Sequence, residues 1–262
     1  MIAKKTPEEI RGLGEAGEIL ARILDALAAE AKPGVSTLAL DDRAMELTEE
    51  YGVEPVLLGY HPRFAPTPYP AAICTSVNHC VQHGIPSESV VLAAGDIIDI
   101  DMSIAHEGLV VDAGYTVGVG EIDAESAKLL QVTREALSRG IAAAAPGGRI
   151  GDISHAIQRH VEAAGLSVVT ALCGHGVGHS VHEEPTIPNF GAAGKGPKIE
   201  VGHVYAIEPI VNIGAPDVYF DDEGDGYGVY TKDGSRSAHF EHTVAITENG
   251  PEILTKLPPE LN

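Results

Sequence analysis

Asp101, Asp112, His175, Glu208 and Glu241 follow one another along the chain, each at the end or in the middle of an apolar run. A buried carboxylate is costly unless something positive pairs with it. No Lys or Arg stands directly beside any of them, so the simplest compensating charge is a pair of divalent metal ions. One imidazole and four carboxylates form an oxygen-rich donor set. It suits manganese, ferrous iron, cobalt or zinc better than copper(I) or an iron–sulfur cluster. Two such ions, roughly 3.5–4 Å apart, activate a water and polarise a carbonyl. That is hydrolysis without a covalent enzyme intermediate. The chain has no Ser in a nucleophile elbow and no H-E-x-x-H motif.

The immediate surroundings of each residue sharpen this reading. A lone Asp is most often a surface charge, but Ile97, Ile98, Ile100 and Met102 surround Asp101. Side chains alternate along a strand, so Asp99 and Asp101 share a face. A tight turn at His106-Glu107-Gly108 can return the chain so that Asp112 approaches Asp101. His175 and His182 belong to CGHGVGHSVHEEP, where Gly174, Gly176 and Gly178 suggest a bend or a close approach. His179 is expected outside the ligand set, and Glu183 and Glu184 are expected to shape the turn or meet solvent. Glu208 lies in VYAIEPIVN, read as an apolar strand in which Pro209 marks an edge or a bulge. Glu241 lies in HFEHTVAI, and its neighbours His239 and His242 leave the choice of ligand open there.

Two similar sets of elements must carry these residues. Thr6-Pro7-Glu8-Glu9 reads as a capping box opening a helix that ends before Pro33-Gly34, and a second helix runs from about Leu38 to Tyr51. Asp123 can cap a third helix that ends at Pro146-Gly147, and a fourth starts near Ile150 and stops at Gly165. Strand pairs follow each helix pair: DIIDIDMSIAHEGLVVDAGYTVGVG in one half, HVYAIEPIVNIG with SAHFEHTVAITENG in the other. The expectation is an α+β fold of one domain, residues 1–262. It consists of two pseudo-twofold-related αα–ββ halves, approximately 1–120 and 121–250, around a central antiparallel sheet. The stretch Gly214–Arg236, rich in Gly and acids, reads as a solvated loop.

Bulk properties narrow the function classes. The 262 residues can form one sizeable core. A net charge of −21, from 38 acidic and 17 basic residues, repels nucleic-acid phosphates and anionic lipid heads. Direct nucleic-acid or membrane binding is not expected. Cys74, Cys80 and Cys173 form no C-x-x-C pair. The opening MIAKKTPEEI has no signal-peptide core and no run reaches membrane-spanning length, so the cytoplasm is the expected compartment.

Six segments carry a resemblance: SVNHCVQHGIP, DIIDIDM, VVDAGYTVGVG, CGHGVGHSVHEEP, IEPIVN and SAHFEHTVAIT. In this order and spacing they resemble type I methionine aminopeptidases over nearly the whole chain. The resemblance implies the pita-bread fold and removal of an N-terminal methionine from peptides or nascent chains, preferably before a small residue. It implies two divalent ions drawn from cobalt, manganese, iron, zinc or nickel. Asp101 would bind one ion, Asp112 and Glu241 would bridge both, and His175 and Glu208 would complete the other site. Glu208 would also move protons with the attacking water. His83 would contact the scissile amide or the leaving group, and His182 would stabilise the tetrahedral intermediate. Tyr60, Tyr69, Cys74, Val181 and Tyr227 match positions lining the methionine pocket, Tyr227 standing where an aromatic, often Trp, is expected. A monomer is expected. Relatives are thought to dock near the ribosomal exit through a basic loop, whereas the matching Asp217–Asp225 is acidic, which argues against such docking. Three rivals remain: a proline-specific peptidase of the same fold, a non-catalytic peptide-binding relative, and a peptidase specialised for one small peptide rather than nascent chains. The first would normally carry a large N-terminal domain for which this chain has no room. The second would have no need of all five ligands.

Overall fold

The computed structural model describes residues 2–62, 65–221 and 226–256. Helix α1 (Pro7–Glu30) opens on the expected capping box: the Glu9 N–H donates to Thr6 Oγ1 at 3.2 Å, and the Thr6 N–H to Glu9 Oε2 at 2.7 Å. Its stripe of Leu13, Leu20, Leu24 and Leu27 is fully buried. Helix α2 (Thr37–Tyr51) ends at Gly52, whose φ of +67° is the left-handed cap that glycine adopts without cost. Helix α3 (Ala124–Ala143) is capped by Asp123, which accepts from the Ser126 N–H, and α4 (Ile150–Ala163) follows.

The strands, in chain order, are β1 (Glu54–Pro55), β2 (Cys74–Val77), β3 (Cys80–Gln82), β4 (Ile97–His106), β5 (Leu109–Gly118), β6 (Ser167–Val168) and β7 (Cys173–Gly176). There follow β8 (Glu183–Pro188), β9 (Val204–Ile207), β10 (Ile210–Asn212), β11 (Val218–Phe220), β12 (Val229–Thr231), β13 (Ser237–Thr247) and β14 (Gly250–Ile253). The main sheet runs β1-β4-β5-β13-β9-β7-β8, with β2 beside β4, and its pairings are antiparallel. The β4–β5 hairpin closes through Glu107 and Gly108, both at positive φ, the turn chemistry a two-residue hairpin requires.

Register decides what the site contains. Cys74 faces Asp101, Asp101 faces Gly114, and Gly114 faces Glu241, forming one row across β2, β4, β5 and β13. Two residues along, and so on the same face, lies the row Ser103–Asp112, extended by the Asp112 N–H donating to Thr243 Oγ1 at 2.9 Å. On the other side lies Ser76–Asp99–Thr116, joined to His239 through Thr116 Oγ1. The opposite face of β4 carries Ile98, Ile100, Met102 and Ile104, all fully buried. Tyr115, on that face of β5, donates its hydroxyl to the Leu24 carbonyl of α1 at 2.6 Å. Arg134 of α3 stacks over Phe240 of β13, 5.3 Å from the ring centroid. Helices therefore cover one face of an α+β fold, and the polar rows occupy the other.

Two local expectations need correction. Gly214–Arg236 is not simply loop: β11 pairs with β12, and β12 with β3, in a second, three-stranded sheet. Val-Tyr-Phe and Val-Tyr-Thr are strand-forming triplets, outweighed in the sequence reading by the acids and glycines around them. The expectation for Asp222, Glu223 and Asp225 falls on 222–225, outside the described residues. Glu208 is not within a strand. It lies with Pro209 in the break between β9 and β10, where the missing proline N–H interrupts the ladder.

Candidate metal centre

All the sequence-derived candidates line one cavity of about 600 Å³: Asp101, Asp112, His175, Glu208 and Glu241, with His83 and His182, and with Tyr60, Tyr69, Cys74, Val181 and Tyr227. Asp112, His175 and Glu241 present ligand atoms within 4.8 Å of one another. His175 Nε2 lies 3.4 Å from Glu208 Oε1 and 3.8 Å from Asp112 Oδ2. Gly174 makes this approach possible, because a Cβ there would stand 2.4 Å from the Ala206 carbonyl oxygen and 3.3 Å from Glu208 Cγ. Nδ1 of His175 meets the Gly176 carbonyl at 3.0 Å, which fixes the ring and leaves Nε2 toward the carboxylates.

Electrostatics show how much charge is concentrated here. Burial, and then Asp112, push the Asp101 carboxyl well above its ordinary range, and burial and Asp112 do the same to Glu241. Burial lifts Asp112 against the hydrogen bond it accepts from Ser103 Oγ at 2.9 Å. Burial raises Glu208 to about 8. One oxygen of Glu241, Oε1, is buried with no hydrogen-bond partner. Carboxylates this crowded, one with an orphaned acceptor, are poorly satisfied by protein alone and match hard divalent cations. The residues present therefore fit a dinuclear centre.

Sequence reasoning missed part of the neighbourhood. Asp99, Asp101 and His239 form a second group with ligand atoms within 4.8 Å. His239 Nδ1 lies 3.3 Å from both Asp99 oxygens. Burial alone would push this imidazole down. Asp99, with Asp101 and Glu208 behind it, overrides burial and raises it to about 9. The ring leans over Gly114, where a Cβ would meet His239 Cε1 at 3.0 Å and Asp101 Cβ at 3.1 Å. The available signal was period two: Asp99 precedes Asp101 by two, as His239 precedes Glu241. The same count cannot show that the two residues meet across three strands.

The rest of the cavity divides into a polar rim and an apolar wall. His83 sits at φ +59°, a conformation uncommon outside glycine and often found at functional positions. His182 Nδ1 lies 2.9 Å from the Tyr60 hydroxyl, and its ring centroid is 4.5 Å from that of His175. Desolvation and His175 push His182 down to about 4, so it is neutral at physiological pH. Tyr69 and Tyr227 pack edge to face at 5.0 Å, and their hydroxyls donate to backbone carbonyls, among them Gly84 and Thr67, which leaves their rings to the cavity. Burial keeps the Cys74 thiol protonated. His179 lies outside the ligand set and pairs with Glu9 at 2.8 Å. Glu183 does shape the turn: its carboxylate accepts the His179 and Ser180 N–H groups and pairs with buried Lys5 at 2.5 Å.

Residues 11–248 match metallopeptidase family M24. The chain is 45% identical to the methionine aminopeptidase of Clostridium acetobutylicum, over 97% of this chain and 99% of that one. It is 44% identical to methionine aminopeptidase 1 of Bacillus subtilis, over 98% of this chain and 100% of that one. Among solved structures, the methionine aminopeptidase of Thermotoga maritima superposes with a TM-score of 0.93 at 42% identity, over 98% of this chain and 100% of that one. A prolidase from Pyrococcus furiosus shares the fold, with a TM-score of 0.76 at 23% identity, over 97% of this chain and 66% of that one.

Proposed function

The chain belongs to metallopeptidase family M24 and has its pita-bread fold, and from that premise we propose that it removes the N-terminal methionine from proteins and peptides, preferably when the next residue is small. The observation that carries this reading is the cavity itself: it holds five potential metal ligands at one end and an apolar wall of Tyr69, Cys74 and Tyr227 at the other. Asp101 would hold one ion, Asp112 and Glu241 would serve both, and His175 and Glu208 would complete the other site. When bound, two divalent ions from cobalt, manganese, iron, zinc or nickel would lower the pKa of a water and polarise the scissile carbonyl.

The chain's own groups do the rest. Glu208 accepts the proton of the attacking water and passes it to the leaving amine. His83 contacts the scissile amide or the leaving group. His182, neutral and steadied by the Tyr60 hydroxyl, donates to the developing oxyanion, a contact worth about 3–4 kcal/mol of barrier for one donor in a comparable case. The apolar wall takes the thioether, and Val181 closes its edge. We take residues 1–262 as one metallopeptidase domain with two halves, approximately 1–120 and 121–250. The protein acts as a cytoplasmic monomer on peptide or nascent-chain N-termini. No described helix is long and apolar enough to cross a membrane. The acids Asp217 and Asp221 oppose docking to ribosomal RNA through that segment.

The test is release of methionine from Met-Ala-Ser, with an Ala-Pro peptide in parallel, across manganese, iron, cobalt, zinc and nickel. Methionine release dependent on a divalent ion is expected, and Asp112→Ala should abolish it together with at least one bound ion. No turnover with any of the metals, or faster Xaa-Pro cleavage, would sink the reading. An Asp112→Ala protein that keeps both ions would remove the bridging role.

A further inference from the structure

Lys5 is 4% exposed, and a lysine is almost never buried unless it is paired. Its Nζ lies 2.5 Å from Glu183 Oε2. The other oxygen of that carboxylate, Oε1, accepts the His179 N–H at 2.6 Å and the Ser180 N–H at 3.1 Å. Ser180 Oγ donates to the His182 carbonyl at 3.1 Å. The chain from 178 to 183 is therefore a turn closed on Glu183, and Lys5 holds Glu183 from behind. This turn joins β7, which carries His175, to β8, and it presents Val181 and His182 to the cavity.

The grip on the turn comes from far along the chain. The Lys5 N–H donates to the Gly202 carbonyl at 2.7 Å, which anchors the residue before its side chain turns inward. The lysine stem then passes over Gly178, where a Cβ would stand 2.4 Å from Lys5 Cε and where φ is +137°. Glycine is needed at 178 on both counts, for the close approach and for the backbone conformation. Four residues after Lys5, Glu9 Oε1 meets His179 Nε2 at 2.8 Å. The Val110 N–H of β5 donates to the Gly178 carbonyl at 2.8 Å. None of these contacts involves a proposed metal ligand.

We propose that Lys5 is a positioning residue which, through Glu183, sets the place of the turn bearing His182 and so the rate of the chemical step. The proposal rests on the aminopeptidase reading above. A largely buried carboxylate stripped of its cation is drawn toward water. Its Oε1 would then release the His179 and Ser180 N–H groups, and the turn would open and carry His182 with it. Misplacing a catalytic group by about 1 Å can cost about 10²-fold in rate, even when the substitution lies away from the chemistry.

The experiment compares Lys5→Met, Glu183→Gln and the double variant with the wild type. The readouts are turnover of Met-Ala-Ser with Mn(II), Mn(II) titration followed by the free-ion EPR signal, and amide hydrogen exchange over residues 178–183, with urea unfolding to establish that each variant folds. Lys5→Met keeps an unbranched stem and removes the charge. It should lose kcat by about 10–100-fold with KM within about threefold, and exchange the His179 and Ser180 amides faster, while binding both ions as the wild type does. Glu183→Gln buries Lys5 without a counter-charge and should also lose kcat. The double variant removes both charges, and a Gln oxygen can still accept the two N–H groups. It should turn over faster than either single variant, a rescue that lost packing alone would not produce. Wild-type kcat in folded Lys5→Met would overturn the proposal, as would loss of an ion from it, which would move the effect from His182 to the ligands. A double variant no faster than the singles would overturn it too, and if Lys5→Met does not fold, Glu183→Gln against the double variant carries the same comparison. If the wild type itself releases no methionine, the aminopeptidase reading falls, while amide exchange still decides whether Lys5 holds the turn, so the two failures are distinguishable.

Discussion

Removing the metal should make this protein lose stability as pH rises through neutrality, the reverse of what paired surface carboxylates do. Glu208 titrates near 4.5 when exposed and at about 8 when folded. A group with a raised folded pKa contributes stability that is complete below its unfolded pKa and lost as pH rises toward the folded one. His239 has the same sign: it moves from 6.5 to about 9, its stability present below 6.5 and fading up to 9. Each such group costs about 1.4 kcal/mol per pH unit inside its window. Both windows are open between pH 6.5 and 8, so together they remove on the order of 4 kcal/mol there. Asp101 and Glu241, raised well above their ordinary values, act in the same direction. A domain with a typical stability of about 5–15 kcal/mol would register this plainly. Saturating Mn(II) binds only the folded, deprotonated ligands and should cancel their part of the slope. The assay is urea unfolding followed by circular dichroism between pH 6 and 8.5, with chelator or with Mn(II). Glu208→Gln, which cannot ionise, should flatten the metal-free slope by about 1.4 kcal/mol per pH unit. Metal-free stability that stays level or rises from pH 6.5 to 8, or a slope untouched by Glu208→Gln, would refute the picture of carboxylates crowded without compensation.

Two further substitutions probe the rim of the cavity. His83→Ala should keep both ions and lose turnover by about 10²–10³-fold, the scale of one lost transition-state donor; unchanged kcat would remove His83 from the mechanism. Lys5→Met leaves the largely buried Glu183 carboxylate without its cation, and should destabilise by about 3 kcal/mol in urea unfolding, the low end for a broken buried pair because two N–H groups still serve Glu183; unchanged stability would mean that the pair holds nothing.

Helix caps and hairpin turns were readable because their causes are local. Thr6 and Glu9 form their box within three residues, and Glu107-Gly108 closes its hairpin within two. That the five candidates would gather in one cavity was readable for a related reason: a carboxylate inside an apolar run is locally anomalous, and the anomaly repeats. Register was not local. Asp99 and His239 are far apart in sequence and meet only because β4, β5 and β13 align Asp99, Thr116 and His239 in one row, while Gly114 vacates the next. No windowed pattern counts across three strands, so the His239 beside Glu241 could be noticed from sequence but not placed. The strand pair at 218–220 and 229–231 escaped for the opposite reason, a local signal of Val and Tyr masked by a composition of acids and glycines. The candidate cluster is thus announced by side-chain type, but the geometry that assembles it depends on cross-strand alignment. A substitution as small as a methyl at Gly114 would press on His239 and Asp101 together without altering any ligand, and the metal would feel it first.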